Sequence, residues 1–384
     1  MNRTRDVPLS EAKVVVLTNF IAPYRLPVLE ALAERVGDLR VWLSTPMEAN
    51  RSWRPQWGRL QVEVQRSVTI EHLSRHPHGY REWQIVHLPY DTLPRLLRAR
   101  PDIVMSGELG ARTAQAALYC LLSSTPLVVW VTVSESSEKG RGLVRRLLRR
   151  VLLPRADVVI VNGQSGQRYV QTLGVRSGRI VTVPYTSRPG HIAIPEKPVR
   201  RVPRHLLYVG QLIERKGIVP FVAALGRWGR RHPYEQVTLE IVGEGPDSAH
   251  LAALGLPDNV ALRCSGHLPY ERMAEVYAKA SLLAFPTLAD EWGVVVNEAM
   301  AAGLPVLGSI YSQAVEELVE DGVSGWVFRP DDPEEVDAVL DRVLRLGAAD
   351  LARMGTAARE AVRFLTPEFA ADRMVGGLHL AADR

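Results

Sequence analysis

Residues 285–306 read FPTLADEWGVVVNEAMAAGLPV, and this stretch indicates how the second half of the chain folds. A short apolar strand ends at Phe285, an acidic loop follows, and a helix begins near Gly293 and leads to a second strand at Pro305. Strand, helix and strand in this order form the repeating unit of a parallel sheet. The helix is largely apolar and carries one isolated carboxylate, Glu298, and a buried carboxylate costs free energy unless hydrogen bonds satisfy it. A ligand hydroxyl is a natural partner for this side chain.

Two glycine turns lie upstream of this block. Residues 206–217, LLYVGQLIERKG, run from a strand through Gly210 to Arg215 and Lys216 at the entry of a helix. Free amide groups at a helix start, together with two cations, suit a diphosphate and can neutralise the charge of a departing nucleotide. A second strand ends before Gly243, at the sheet edge where open α/β folds bind ligands. A turn without a ligand is the alternative interpretation of Gly243.

Short β-branched runs alternate with helical patterns along the whole chain of 384 residues, which predicts two Rossmann-like domains. The predicted strands are Lys13–Thr18, Ile103–Ser106, Leu127–Val133, Val158–Asn162 and Ile180–Val183 in the first domain, and His205–Val209, Thr238–Val242, Val260–Cys264, Leu282–Phe285 and Pro305–Gly308 in the second. We predict a first domain over residues 1–187, a proline-containing linker over 188–204 and a second domain over 205–366. A last helix over about 367–384 can pack back on the first domain.

These motifs together resemble the donor half of glycosyltransferase family 4. The segment Gly210–Gly217, the turn Gly243–Pro246 and the block Asp290–Pro305 carry the resemblance. Residues 18–27, TNFIAPYRLP, resemble the acceptor-side opening of a subgroup with a Pro-Tyr-Arg turn. Members of the family are retaining enzymes of the GT-B architecture, an α/β fold with two Rossmann-like domains facing a central cleft. The resemblance implies a nucleoside diphosphate sugar as donor and a hydroxyl group as acceptor.

The resemblance also implies roles for individual residues. Arg215 and Lys216 would hold the diphosphate, and Glu298 would hold the ribose hydroxyls. Asp290 would contact the donor sugar, although the family has a longer glutamate at this position, and the adjacent Glu291 is the alternative. The other donor-site candidates are glycine and helix-start positions, Gly210, Gly243, Gly293, Val294 and Val295.

On the acceptor side the resemblance points to Tyr24 and Arg25. Many relatives carry a histidine after the strand that matches Val128–Val133, whereas this chain continues with Ser134 and Glu135. Either residue could take part of the histidine's role, or neither could.

The sequence favours a reaction that needs no metal ion or other cofactor. It contains no Asp-x-Asp motif, and no cluster has the spacing of a metal site. The crowded histidines His72, His76 and His78 are interpreted as part of a surface loop. The charge of the departing nucleotide would then be met by Arg215, Lys216 and helix dipoles.

Charge divides the chain into unlike halves. Residues 1–190 carry 27 Lys and Arg against 15 Asp and Glu, a net charge of +12, whereas the remainder has a net charge of −7. This asymmetry predicts an anionic or lipid-linked acceptor, or contact with an acidic membrane surface; a basic face with no partner is the alternative. In residues 141–155 leucines and valines share one helix face and arginines the other. Such a helix can lie on anionic lipid, but we favour packing on the first sheet with the arginines in solvent.

Other classes of protein fit the sequence less well. A dinucleotide-dependent oxidoreductase would carry a G-x-G-x-x-G motif after the first strand, which Thr18–Pro23 does not provide, and a nucleic-acid binder would leave the donor-type loops unexplained. No apolar run approaches the roughly 20 residues that cross a bilayer, so we expect a cytoplasmic protein that can attach to the inner face of the membrane. The alternative to an enzyme is a non-catalytic nucleotide-sugar-binding or helper subunit.

Overall fold

The computed structural model describes residues 7–48, 51, 54–187 and 203–384. They divide into two compact α/β units, which confirms the predicted fold class. The first unit comprises Met1–Ser74, Trp83–Arg188 and Leu365–Arg384, and the second comprises Arg75–Glu82 and Pro189–Phe364. The first predicted domain therefore differs from the first unit at residues 75–82, which cluster with the second unit. Most of the predicted linker, residues 188–202, lies outside the described residues.

A seven-stranded parallel sheet forms the centre of the first unit. From one edge to the other its strands are β3 (Gln61–Val64), β2 (Asp38–Leu43), β1 (Lys13–Thr18), β6 (Ile103–Gly107), β7 (Leu127–Trp130), β8 (Val158–Val161) and β9 (Ile180–Thr182). A separate pair consists of β4 (Ser67–Arg75) and β5 (Arg81–Pro89). The valine-rich central strands are buried on both faces, as expected for a parallel sheet covered by helices.

Among the described residues, six helices belong to the first unit. They are α1 (Leu26–Ala33), α2 (Thr92–Ala99), α3 (Ala111–Ser123), α4 (Leu143–Leu152), α5 (Gln164–Thr172) and α13 (Pro367–Ala382). The last of these packs against α1 and against strands β7, β8 and β9, and it begins with a Thr366 cap whose hydroxyl accepts a hydrogen bond of 3.2 Å from the Phe369 amide. The C-terminal helix is thus part of the core of the first unit.

Helix α4 corrects the interpretation that we favoured for residues 141–155. Most of its apolar side chains face solvent, with Leu143 84%, Val144 83% and Leu147 65% exposed, whereas Leu152 at its end is buried. Arg149 instead points inward and forms an ion pair with Glu138, and both side chains are only 3% exposed. The ion pair explains the orientation, because a buried carboxylate requires a charged partner. The helix therefore packs through an arginine and leaves a leucine-rich face uncovered.

The second unit is built on a six-stranded parallel sheet. Its strands, in order, are β12 (Val260–Gly266), β11 (Val237–Val242), β10 (His205–Val209), β13 (Leu282–Phe285), β14 (Val306–Ser309) and β15 (Gly325–Phe328). Its helices are α6 (Ile218–Arg231), α7 (Ser248–Ala252), α8 (Met273–Lys279), α9 (Val294–Ala301), α10 (Gln313–Leu318), α11 (Pro333–Val343) and α12 (Ala348–Val362). Across the described parts of both units, no helix combines the length and apolar character needed to cross a bilayer.

Candidate functional site

The candidate donor site lies at the carboxyl edge of the second sheet. Strand β10 lies between β11 and β13 in the sheet. The chain adds β11 and β12 on one side of β10 and then crosses to the other side to form β13, so the order of the strands reverses between β10 and β13. Open α/β sheets bind ligands in the crevice that such a reversal creates. The loops that follow β10 and β13 contain the Arg215–Gly217 and Asp290–Gly293 motifs, and the fold brings them together.

The loops after β10 and β11 are joined by backbone hydrogen bonds. The Gly210 amide donates to the Val242 carbonyl at 3.0 Å, and the Leu212 amide donates to the Glu244 carbonyl at 2.9 Å. A Cβ atom on Gly243 would overlap the Gly210 carbonyl oxygen, so no other residue fits there without a shift of the backbone. The two predicted glycine turns are therefore joined to each other beneath the candidate site.

Arg215 and Lys216 lie in a short 3₁₀ turn, Glu214–Lys216, immediately before α6. The turn ends at Gly217, whose φ of 64° is in the left-handed region that favours glycine. The Arg215 carbonyl accepts a hydrogen bond of 2.8 Å from the Leu288 amide, which belongs to the loop after β13. Both predicted cations are therefore held against the loop that carries Asp290.

Asp290 lies between the two cations. Its Oδ2 accepts a hydrogen bond from the Lys216 ammonium group and is 3.9 Å from an Arg215 nitrogen, and all three side chains are largely buried. Burial alone would raise the pKa of Asp290, but Lys216 and Arg215 outweigh it and hold the pKa below the ordinary value of 3.8. Burial lowers the pKa of Lys216, although Asp290 opposes this effect. The carboxylate predicted to contact the donor sugar thus also pairs with the cations predicted to hold the diphosphate.

Residues 75–82 also contribute to this region, which was not predicted from the sequence. Glu82 forms an ion pair of 2.8 Å with Arg215, and the Arg81 amide donates to the Glu214 carboxylate at 2.9 Å. His78 Nδ1 lies 2.9 Å from the Leu288 carbonyl oxygen, in the loop after β13.

The interpretation of the histidines as a surface loop is wrong for His76. This residue is buried, and its ring stacks on Tyr80 at a centroid distance of 4.5 Å. Three closely spaced histidines mark this segment in the sequence, but no sequence pattern indicated which residues it contacts.

Helix α9 begins at Val294, as predicted. Gly293 has a φ of 104°, and a Cβ atom on it would lie 2.7 Å from the Phe285 ring. The Val296 amide donates a hydrogen bond of 2.9 Å to the Gly293 carbonyl, and Val294 and Val295, whose amides have no partner within a helix, are half-buried at this end. Glu291 is also half-buried, and its backbone carbonyl accepts a hydrogen bond of 2.7 Å from the Gln313 side chain.

Glu298 has a partner within the protein, which corrects the argument that its position is explained chiefly by a ligand. The Tyr277 hydroxyl donates a hydrogen bond of 2.8 Å to Glu298 Oε2. The side chain is half-buried, so part of it faces solvent. An ionised carboxylate has about four acceptor positions, so the contact with Tyr277 leaves capacity for further hydrogen bonds.

On the acceptor side, Tyr24 and Arg25 come together with Tyr185. The Arg25 guanidinium donates to the Tyr185 hydroxyl and lies 4.6 Å from the centre of the Trp130 ring, and the rings of Tyr24 and Tyr185 are 5.4 Å apart. This cluster lines a small cavity in the first unit.

Ser134 and Glu135 follow strand β7, but both have structural partners. The Ser134 side chain is buried in a turn, where its hydroxyl accepts a hydrogen bond of 2.9 Å from the Ser137 amide. Glu135 forms an ion pair of 2.8 Å with Arg168. Among the described residues, no group of three or more His, Cys, Asp or Glu side chains is arranged to hold a metal ion.

Two family models match the chain and together cover most of it. Residues 21–186 match the glycosyl transferase 4-like domain, and residues 203–346 match the glycosyl transferases group 1. The second match contains every predicted donor-site residue.

Individual relatives agree with these matches. Glycogen synthase of Mycobacterium tuberculosis is 34% identical over 44% of this chain and 40% of its own length. The 2-deoxystreptamine N-acetyl-D-glucosaminyltransferase of Streptomyces fradiae is 25% identical over 74% of this chain and 62% of its own length. The matches thus span less than two thirds of either relative.

Among solved structures, Anabaena HepE in complex with UDP is similar in fold. It has a TM-score of 0.71 at 20% identity, covering 96% of this chain and 99% of HepE. With the two matched domain models, the two parallel sheets and the donor-type loops, these findings show that the chain belongs to glycosyltransferase family 4, with the GT-B architecture.

Proposed function

We propose that this protein transfers a sugar from a nucleoside diphosphate sugar to a hydroxyl acceptor, with retention of the anomeric configuration. The observation that carries the proposal is the convergence of Arg215 and Lys216 with the start of α9 at the reversal point of the second sheet. This is the position and the charge that a diphosphate requires. Retention is proposed from the family alone, and NMR of the product anomer tests it.

The cations suit the chemistry of the leaving group. As the bond between sugar and diphosphate breaks, negative charge builds on the leaving oxygen, and fixed cations in a largely buried site stabilise that charge. Asp290 holds the Lys216 ammonium group in place before a ligand arrives, so little reorganisation is needed. Glu298, oriented by Tyr277, supplies a carboxylate for the ribose hydroxyls.

We propose that the reaction needs no metal ion, because Arg215 and Lys216 provide the positive charge at the diphosphate. Nucleotide release from a panel of UDP-, GDP-, ADP- and dTDP-sugars, measured by mass spectrometry, tests both parts of the proposal. We expect one donor to be consumed at the same rate with and without EDTA. Loss of turnover on chelation, restored by manganese, would contradict metal independence.

A non-catalytic nucleotide-sugar-binding subunit is the second candidate. The observations that favour it are the loop after β7, which has Ser134 and Glu135 in structural contacts where many relatives carry a histidine, and the shorter Asp290. Turnover distinguishes the two candidates. A binding subunit takes up a nucleotide sugar, seen by calorimetry, and never releases free nucleotide.

We also propose that α4 attaches the protein to anionic membranes, where a lipid-linked acceptor would be found. Its uncovered face consists of Leu143, Val144, Leu147 and Val151, and Arg146 and Arg150 lie along one edge of that face. A helix that lies on a membrane inserts its apolar side chains into the interface, and its basic side chains contact anionic head groups. The net charge of +12 over residues 1–190 adds long-range attraction.

Flotation with phosphatidylglycerol vesicles tests this attachment. We expect the wild type to float at low salt and to be released at high salt, since screening weakens the arginine contribution. The variant L143E/L147E changes only exposed positions and should stay in the soluble fraction. Tyr234→Glu, at a residue that is 95% exposed in the second unit, is the matched control and should float like the wild type. A wild type that does not float at low salt contradicts the proposal and leaves a protein partner as the occupant of this face.

A further inference from the structure

The first sheet has its own reversal point, and a polar group that the sequence analysis did not single out lies there. Strand β1 lies between β2 and β6. The chain adds β2 and β3 on one side of β1 and later forms β6 on the other side, so the order of the strands reverses between β1 and β6. Asn19 follows β1 and Glu108 follows β6, both at the carboxyl edge. Open α/β sheets bind ligands in the crevice at such a reversal of strand order, as at the candidate donor site on the second sheet. The same principle makes this crevice the expected ligand site of the first unit.

The group is built around one partly exposed carboxylate. Asn19 Nδ2 donates a hydrogen bond of 2.6 Å to Glu108 Oε2, and Asn19 Oδ1 accepts one of 3.1 Å from Arg112. Arg112 also donates to the Gly107 carbonyl at 2.8 Å. Asn19 and Arg112 are buried, whereas the Glu108 side chain is 49% exposed. Two buried side chains thus orient a carboxylate that faces solvent.

The backbone at Glu108 is strained. Its φ of 68° lies in the left-handed region, which is costly for a residue with a Cβ atom. Its carbonyl accepts a hydrogen bond from the Thr113 hydroxyl, and Thr113 Oγ1 lies 2.9 Å from Ser106 Oγ, so the turn is fixed. Strained residues persist where the surrounding structure holds them, and they cluster at ligand sites.

A purely structural role explains only part of this arrangement. The bond between Arg112 and Asn19 satisfies two buried polar groups and needs no ligand. The ion pair of 3.8 Å between buried Arg112 and Glu108 also gives the carboxylate a structural partner. Both this ion pair and the hydrogen bond from Asn19 are made by Oε2, and 49% of the Glu108 side chain stays exposed at the carboxyl edge. The exposed part of the carboxylate, on a strained backbone, is the feature that a ligand would explain.

We propose that Glu108 binds hydroxyl groups of the acceptor and that Asn19 and Arg112 are positioning residues for it. An ionised carboxylate only accepts hydrogen bonds, so it pairs with donors such as the neighbouring hydroxyls of a sugar or cyclitol. A deprotonated anionic group has no hydrogen to donate to this carboxylate, so the end of the acceptor that enters this crevice is an uncharged polyol. This inference rests on the proposed glycosyltransferase function and adds the acceptor class.

The substitution Glu108→Gln tests the proposal with little change of shape. Glutamine can still accept the hydrogen bond from Asn19, but the exposed oxygen loses its charge. The wild type and the variant are compared in donor hydrolysis without acceptor, in nucleotide affinity by calorimetry, and in glycosylation of myo-inositol, methyl α-D-glucopyranoside and maltose. We expect the KM for the polyol that is used to rise by about tenfold or more, the size of one charge-assisted hydrogen bond. Donor hydrolysis and nucleotide affinity should not change.

Two further variants separate positioning from general damage to the fold. Asn19→Ala removes the 2.6 Å hydrogen bond to the Glu108 carboxylate and leaves it only the ion pair with Arg112, so it should lower kcat/KM for the polyol while the nucleotide affinity is kept. Glu63→Gln alters a carboxylate on the same sheet that is 54% exposed and paired with Arg95, and it should leave all three measurements unchanged.

Each outcome bears on the proposals separately. A wild type that neither binds nucleotide nor consumes a donor overturns the proposed function and this inference with it. A wild type that glycosylates a polyol with the same KM as Glu108→Gln overturns the role of Glu108 alone. Donor hydrolysis with no glycosylation of any of the three polyols overturns the acceptor class.

Discussion

Lys216 is a buried ammonium group, and its environment makes nucleotide affinity depend on pH. Burial lowers its pKa below the 10.5 of a free lysine, even though Asp290 opposes the shift. As the pH rises through the lowered pKa, Lys216 loses its proton and with it the attraction to the diphosphate. We expect the nucleotide dissociation constant, measured by calorimetry between roughly pH 7 and 10, to rise on the alkaline side before an unperturbed lysine would titrate.

Arginine and methionine at position 216 provide the controls. Lys216→Arg keeps the charge over this range and should flatten the alkaline rise, whereas Lys216→Met should bind at least about tenfold more weakly at pH 7. A wild-type affinity that is constant up to pH 10 would show that Lys216 does not contact the diphosphate.

Glu298 is expected to bind the ribose through the oxygen atoms that Tyr277 orients. Glu298→Gln keeps the shape and removes the charge, so nucleotide affinity should fall by about tenfold or more, the effect of losing about 1.5–3 kcal/mol. Tyr277→Phe removes the 2.8 Å hydrogen bond but keeps the carboxylate charge, and it should cause a smaller loss. Calorimetry with free nucleotide measures both. If Glu298→Gln binds as tightly as the wild type, the assignment of the ribose contact is wrong.

Asp290 contributes both to stability and to turnover. Its pKa lies below 3.8, so the ionised form stabilises the fold above that pH, and the contribution is lost as the pH falls through the lowered pKa. Asp290→Asn should lower the unfolding free energy at pH 7, at most by the roughly 3–5 kcal/mol of a broken buried pair, and the difference from the wild type should shrink below about pH 4. Thermal denaturation over a pH series measures this.

The role of Asp290 at the sugar predicts a second effect of the same substitution. Turnover should fall steeply while nucleotide affinity changes much less. Glu291→Gln is the control for the neighbouring carboxylate. If Glu291→Gln alone abolishes turnover, the sugar contact belongs to Glu291.

At this scale the sequence indicated the residue types of the donor site but few of their partners. Arg215, Lys216 and Asp290 lie in motifs whose spacing along the chain is diagnostic, and the fold brings them together. Glu82 reaches Arg215 across 133 positions of sequence, and Asn19 reaches Glu108 across 89. Such pairs follow from the arrangement of the strands, which no local pattern encodes.

Among the elements, α4 depends on one ion pair for its orientation. Glu138 accepts hydrogen bonds from Arg149, one of them at 3.2 Å, and the Tyr169 hydroxyl lies 2.8 Å from the same guanidinium. Removal of one partner leaves a buried charge, so Glu138→Gln should lower the unfolding free energy by about 3–5 kcal/mol. Denaturant unfolding of single and double substitutions at Glu138 and Arg149 measures the coupling. A double variant as unstable as the sum of the two single variants would show that the pair is not coupled.

Regular periodicity predicted the central elements better than the edges. Strands β10 and β13 and the starts of α9 and α13 agree with the predictions, because buried β-branched runs and proline or glycine boundaries mark them. Strands β2, β3, β4, β5 and β15 were not predicted, since they are short or interrupted by polar residues. The inward face of α4 was predicted wrongly because periodicity shows which residues share a face and not which face is covered.

At the scale of the whole molecule, the C-terminal segment completes the first unit, not the second that precedes it in sequence. The inner face of α13 is buried through Ala370, Ala371, Met374 and Leu378. Deletion of residues 367–384 should therefore destabilise the first unit and leave nucleotide binding by the second.

Hydrogen exchange tests this expectation, with protection lost in β1 and β8 and retained in β10 and β13. Deletion of Asp383 and Arg384 alone, outside α13, is the control and should preserve protection throughout. Loss of protection in β10 and β13 on deletion of the whole helix would contradict the division into separate units.

The sequence predicted two α/β units and the return of this last helix to the first unit. It did not predict that residues 75–82 belong with the second unit. Helix α13 has a capping threonine, a first-turn proline and an apolar face, which together predict a docked helix. Residues 75–82 have no comparable pattern, and their place depends on groups that are distant in sequence, such as the Arg215 guanidinium and the Leu288 backbone carbonyl.

The glycines beneath the donor site bear on how this protein could be re-engineered for another sugar. A methyl group on Gly243 or Gly245 would overlap a carbonyl oxygen of the loop after β10, and one on Gly217 would overlap the Pro286 carbonyl oxygen. A library that randomises these loops evenly would lose most of its members to misfolding before donor choice is ever screened. Diversity is better concentrated at half-buried positions such as Glu291, Val294 and Val295, with the three glycines held constant.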